Sequence, residues 1–100
     1  MFDDLLGNLQ KQQQEIQQKL SAIIVEAESG DGAVVVKATA EMQIDNIKLD
    51  TSKLDLKDKE QVEDLLVVAI NRALEEAKKA AAAETSKMFE GLMPPGGLGG

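Results

Sequence analysis

A mismatch of lengths restricts the fold of this chain more than any other feature. The apolar positions Val62, Leu65, Leu66, Ala69, Ile70, Ala73, Leu74 and Ala77 recur at helical spacing, and the pattern runs on through Ala80, Ala81, Ala82 and Ala83 to about Met88. A helix from 58 to 88 would be about 46 Å long at 1.5 Å per residue. The runs of strand character that precede it have about 8 residues each, which is roughly 27 Å. Such a helix must overhang any sheet those strands build. Its far half is rich in alanine, so it needs another helix beside it or stands alone in water.

The strands are read from alternation. In Ile23-Ile24-Val25-Glu26-Ala27-Glu28, residues 23, 25 and 27 face one way and the two acids face the other. Ser29-Gly30-Asp31-Gly32 is a hairpin turn, whose glycines supply the positive φ that such turns need. In the second run, Ala33 to Ala40, Val34, Val36, Ala38 and Ala40 share a face, with Lys37 and Thr39 opposite. The third, Met42 to Leu49, slips phase at Asp45-Asn46 between Ile44 and Ile47, as a bulge would make it do. One apolar and one charged face describe an antiparallel meander covered on one side.

Ahead of the strands, Leu6, Leu9, Gln13, Ile16, Leu20 and Ile23 repeat at spacings of three and four, a heptad seam interrupted by a single glutamine. Asp3 or Asp4 caps this first helix, and Gln, Lys and Glu fill its other faces. The seam fits either an intermolecular coiled coil or packing within the chain, on the second helix or the sheet. After the strands, Asp50 to Leu56 is a linker of turn formers, and Lys57 or Asp58 opens the long helix. Gly91 is expected to end it. The organisation is therefore one domain over residues 1–90 and a disordered Pro/Gly-rich tail over 91–100. The third strand and the start of the long helix are expected to form the mechanical centre, with Leu66 buried.

Composition narrows the chemistry. The chain of 100 residues has no Cys, His, Trp or Tyr, which removes thiolate and imidazole ligands and the commonest general base. The carboxylates Asp55, Asp58, Glu60, Glu63 and Asp64 match no EF-hand spacing and are accounted for by the positive end of a helix dipole. No glycine-rich loop opens a helix, so no phosphate cradle is expected. Neither an enzyme, a cofactor nor a metal site is expected. The acidic start Met1-Phe2-Asp3-Asp4 is unlike a secretory signal, and the longest apolar run, Leu65 to Ile70, is too short to span a bilayer. A cytoplasmic protein is the expectation.

Several short motifs stand in a definite order: Ser29-Gly30-Asp31-Gly32, Val36-Lys37-Ala38-Thr39, Ile47-Lys48-Leu49-Asp50, Val62-Glu63-Asp64-Leu65-Leu66 running to Ala69-Ile70-Asn71, and Met93-Pro94-Pro95-Gly96. Together with the Gln-rich first helix they resemble the YbaB/EbfC family of nucleoid-associated DNA-binding proteins over nearly the whole chain. Family members usually place an Asn-Gly-type turn where this chain has Ala40-Glu41-Met42-Gln43. The resemblance implies an α+β fold of helix, three-stranded antiparallel sheet and long helix. It also implies a tweezer-like homodimer, joined through its sheets, whose projecting helices grip duplex DNA in the nucleoid.

Under that resemblance the DNA-binding candidates are the helix-borne cations Lys11, Lys19, Arg72, Lys78, Lys79 and Lys87. A plainer reading makes them solvated partners of Glu75, Glu76 and Glu84 at helical spacing. The formal net charge is −7, with a basic surplus over residues 65–83, where Arg72, Lys78 and Lys79 outnumber Glu75 and Glu76. DNA affinity comes largely from cations displacing counterions at phosphates. The expected function is therefore weak, sequence-tolerant duplex binding by a homodimer, with a possible effect on gene expression. The alternative is an acidic dimeric interaction protein that binds a protein partner.

Overall fold

The computed structural model of the chain describes residues 2–92, ordered as α1 (Phe2–Ala22), β1 (Ile24–Ser29), β2 (Val34–Thr39), β3 (Ile44–Leu49) and α2 (Lys59–Leu92). The strands form one antiparallel sheet in the order β1-β2-β3. The expected order of helix, meander and long helix is the one observed. The long helix continues past Gly91 to Leu92; the rest of the expected tail lies outside the described residues.

Two hairpins set the registers. In the first, Ala33 N–H donates to the Gly30 carbonyl, and Asp31 and Gly32 between them both have positive φ, as type I′ turns require. In the second, Thr39 N–H donates to Gln43 and Met42 N–H to Thr39, with Met42 at φ 70°. That is a three-residue loop with a left-handed residue at the position glycine favours. The phase slip in β3 is a bulge: Lys37 pairs with Asn46 and Ala38 with Ile44, leaving Asp45 unmatched. It puts Ile44, Ile47 and Leu49 on the same face as Ala38, Val36 and Val34, their partners on β2.

Asp58 caps α2, its carboxylate accepting from Gln61 N–H at 3.2 Å. The helix then lies across β1 and β2. Ala69, Ala73 and Ala77, four residues apart, are buried against Val34, Val36 and Ala38. Alanine lets the helix come close to the strands, so the core is dense but thin, and Val34 and Val36 are its largest fully buried side chains. Leu54 of the linker closes one end. The hairpin is tied to the helix at several points. Ser29 Oγ donates to the Leu65 carbonyl at 2.6 Å, and Arg72 Nη1 donates to the Glu28 carbonyl at 2.9 Å. A Cβ at Gly30 would lie 3.2 Å from the Leu65 methyls.

Those ties pull Leu65 and Arg72 toward β1, which turns the opposite flank of α2, Leu66, Ile70 and Leu74, toward β3. The helix does not reach over that strand, and all six of its residues are exposed. The expectation that β3 and Leu66 form the mechanical centre is therefore corrected. The centre is β2 under the alanine stripe, and Leu66 is half-buried at its margin.

Candidate nucleic-acid interface

Two helical arms leave the same end of the sheet. Among the residues whose burial is described, Ala77 is the last fully buried position of α2, and residues 78–92 extend about 22 Å beyond it. The β2–β3 turn marks this end, with Met42 bordering Leu74 and Lys78 of α2. α1 enters the sheet there too, because Ile24 pairs with Thr39, the last residue of β2. Gln14, Gln17, Gln18 and Ser21 of α1 border Glu41 of the same turn. Among the described residues α1 buries none of its own. Leu5, Leu6 and Leu9 face water, although Leu6 and Leu9 continue the apolar seam.

The six candidate cations do not converge on one surface. Lys11 and Lys19 are exposed on α1 and Lys87 is exposed on the far part of α2. Arg72 is engaged with the Glu28 carbonyl and holds the first hairpin to the helix. Lys79 Nζ lies 3.6 Å from Glu76. Both line a shallow groove between β1 and α2 together with Glu26, Glu28, Glu75 and Glu76. Four carboxylates against two cations give that groove a negative field, which repels phosphate. Lys78 stands on the other flank, beside Met42 and Leu74. The cations outside the acidic groove are thus Lys78, Lys87, Lys11 and Lys19, all on or near the arms. Sequence spacing alone could not separate Lys78 from Lys79. The separation follows from β1 carrying Glu26 and Glu28 along one side of the helix only.

The chemistry available to this surface is charge and shape. No group of carboxylates among the described residues is arranged to hold a metal ion. The carboxyl of Asp50, in the linker, is held below the usual carboxylate range by the Ser52 hydroxyl and then by the Ser52 amide, both of which donate to it. That explains a linker turn and has no bearing on binding.

The model of the YbaB/EbfC DNA-binding family matches residues 1–92. The chain belongs to this family. Among curated relatives it is 39% identical to a nucleoid-associated protein of Bradyrhizobium diazoefficiens, over 93% of this chain and 89% of that one. It is 35% identical to a nucleoid-associated protein of Legionella pneumophila, over 95% of this chain and 90% of the relative. An uncharacterised Helicobacter pylori protein of known crystal structure shares the fold. Its TM-score is 0.71 at 23% identity, covering 88% of this chain and 92% of that one. The family to which the chain belongs is described as DNA-binding. No helix among the described residues is long and apolar enough to cross a membrane.

Proposed function

We propose that the protein binds duplex DNA as a homodimer, with little sequence specificity and without catalysis. In this reading it organises chromosomal DNA in the nucleoid, as the names of its relatives suggest, and affects gene expression through that binding. The observation that carries the reading is the projecting end of α2. Past Ala77 the helix runs on beyond the buried core, and Lys78 and Lys87 on this stretch lie outside the acidic groove that holds Lys79. Contacts of this kind reach phosphates and not base edges. The single arginine is tied to Glu28, which leaves no free guanidinium for bidentate base reading.

The dimer is supported by what the lone chain leaves bare. Ile44, Ile47 and Leu49 of β3 are each about two-fifths exposed on the face that α2 covers elsewhere. Leu66, Val67, Ile70 and Leu74 on α2 are also only half-buried or exposed, and apolar surface of this kind is what a self-complementary contact between two copies would close.

The test is retardation of duplex DNA across a salt series. Binding should be detectable at low salt on the order of tens of micromolar and fall with a log–log slope near −0.9 per phosphate neutralised. Replacing Lys78 and Lys87 together by Glu should abolish it with the circular dichroism unchanged. Failure of the unmodified protein to retard DNA at low salt would favour a second reading. The net charge of −7 and the acidic groove beside β1 then point to a basic protein partner.

A further inference from the structure

β1 is an outer strand of the sheet, and half of its backbone groups point away from it. Ala40 N–H donates to the Ile23 carbonyl, and β1 pairs with β2 from Ile24 opposite Thr39 to Ser29 opposite Val34. Bonded positions alternate in an antiparallel ladder, so Ile23, Val25, Ala27 and Ser29 serve β2. Ile24, Glu26 and Glu28 turn their N–H and C=O groups outward. The Glu28 carbonyl has a partner, accepting from Arg72 Nη1 at 2.9 Å. Among the described residues no strand pairs with this edge. It is open from Ile24 to the Glu28 N–H, a stretch of about five residues, roughly 17 Å.

The edge borders the groove between β1 and α2, a space of about 540 Å³ whose carboxylates are Glu26, Glu28, Glu75 and Glu76. Lys79 pairs with Glu76 at 3.6 Å, whereas Glu26, Glu28 and Glu75 make no ion pair among the described residues. A strand added at this edge would turn alternate side chains toward α2, where Glu75 and Glu76 stand, and the others to the open face of the sheet. Glu26 and Glu28 belong to that open face, because Val25 and Ala27 between them are the half-buried residues packed on the core. Both faces of an added strand therefore meet carboxylates.

Charge decides which strand this can be. Acidic side chains along an open edge keep a second copy away, since two β1 edges brought together would set Glu26 and Glu28 against their own kind. A phosphate backbone is repelled in the same way. Residues 93–100 of the chain itself carry no cation. A run of consecutive Lys and Arg residues is attracted on both of its faces, while its main chain supplies the missing partners of Ile24 and Glu26. We propose that the outer edge of β1 is a docking site for an extended, basic segment of another protein, which adds to the three-stranded sheet beside α2. The site is separate from the surfaces invoked above. Lys78 is on the other flank of α2, and β3, where the proposed homodimer would close, is the opposite edge of the sheet. The acidic groove thereby has a use that does not require DNA binding to fail.

The test uses the full chain, isotope-labelled for NMR, and an acetylated, amidated hexapeptide of alternating lysine and arginine. The Ile24 and Glu26 amides point outward, so at saturating peptide their hydrogen exchange should slow about tenfold or more. The same peptide with every backbone nitrogen methylated keeps its charge but cannot donate to a ladder, and it should give no such protection. Equal protection by both peptides would show attraction by charge alone and overturn the proposal. Binding that leaves both edge amides unprotected, or no binding up to on the order of 1 mM, overturns it as well. Glu26→Lys combined with Glu76→Lys should weaken the unmethylated peptide about tenfold or more, and an undiminished affinity counts against the site. Should that variant not fold, the methylated peptide decides the matter on the unmodified chain. None of these results bears on the homodimer or on DNA, which sedimentation and retardation read separately.

Discussion

Met42 occupies a left-handed backbone conformation, φ 70°, in the β2–β3 loop. For a residue with a Cβ that conformation costs roughly 1–2 kcal/mol. Its side chain is largely exposed, so little packing offsets the strain. Met42→Gly should therefore raise stability by about 1 kcal/mol in chemical denaturation. A loss would show that the Met42 side chain contributes more than the backbone strain costs. Arg72 shows the reverse situation, a residue with a functional appearance and a structural task. Arg72→Ala should lower stability by about 1 kcal/mol through the lost bond to Glu28 and leave DNA retardation nearly unchanged. Asp50 supplies a pH signature. Its folded carboxyl is lowered by Ser52, so the associated stability is present above the ordinary carboxylate pKa and is lost as pH falls through the folded value. In Ser52→Ala the Asp50 carboxyl, followed by NMR, should titrate at higher pH than in the unmodified chain.

Among the elements, β3 and α2 decide the molecule's behaviour. The alanine stripe of α2 exists because the helix lies close over β2, and enlarging it should not be tolerated. Ala73→Leu is expected to cost about 1–3 kcal/mol by overpacking. β3 is half of a surface. Its bulge at Asp45 keeps Ile44 and Ile47 on one face, yet the alanine-mediated approach and the ties at Ser29 and Arg72 seat the helix over the other two strands. Under the proposed homodimer, Ile47→Lys should give a monomer in sedimentation, with the strands and α2 still formed. A dimer that survives the change would remove β3 from the contact.

For the molecule as a whole the dimensions are telling. The extents are 63 × 34 × 17 Å and the radius of gyration is 19.1 Å. A compact domain of this length would have a radius near about 13 Å. The excess is the two arms, which bury almost nothing in a single chain. Folding of the arms is therefore expected to depend on protein concentration, as it does wherever association supplies the missing core. The thermal midpoint should rise with concentration, and an invariant midpoint across a wide range would contradict the dimer.

Local patterns were enough for the elements themselves. Alternation in residues 23–49, the Ser-Gly-Asp-Gly turn, the slip at Asp45 and the helical stripe from Val62 all depend on neighbours in the chain, and all appear in the structure where they were expected. The overhang of α2 also followed from length, because rise per residue is a constant of each element. Other properties depended on which surfaces meet. That α2 covers β1 and β2 but not β3, that Leu66 is marginal, and that Lys79 and Arg72 lie in an acidic groove while Lys78 does not, are consequences of side chains distant in sequence. Ser29 reaching Leu65 and Arg72 reaching Glu28 rotate the helix, and no periodicity within α2 encodes that rotation. The seam of α1 was visible as a seam from its spacing, but only the tertiary structure showed that Leu6 and Leu9 stay exposed while Ile16, Leu20 and Ile23 are half-buried near the sheet.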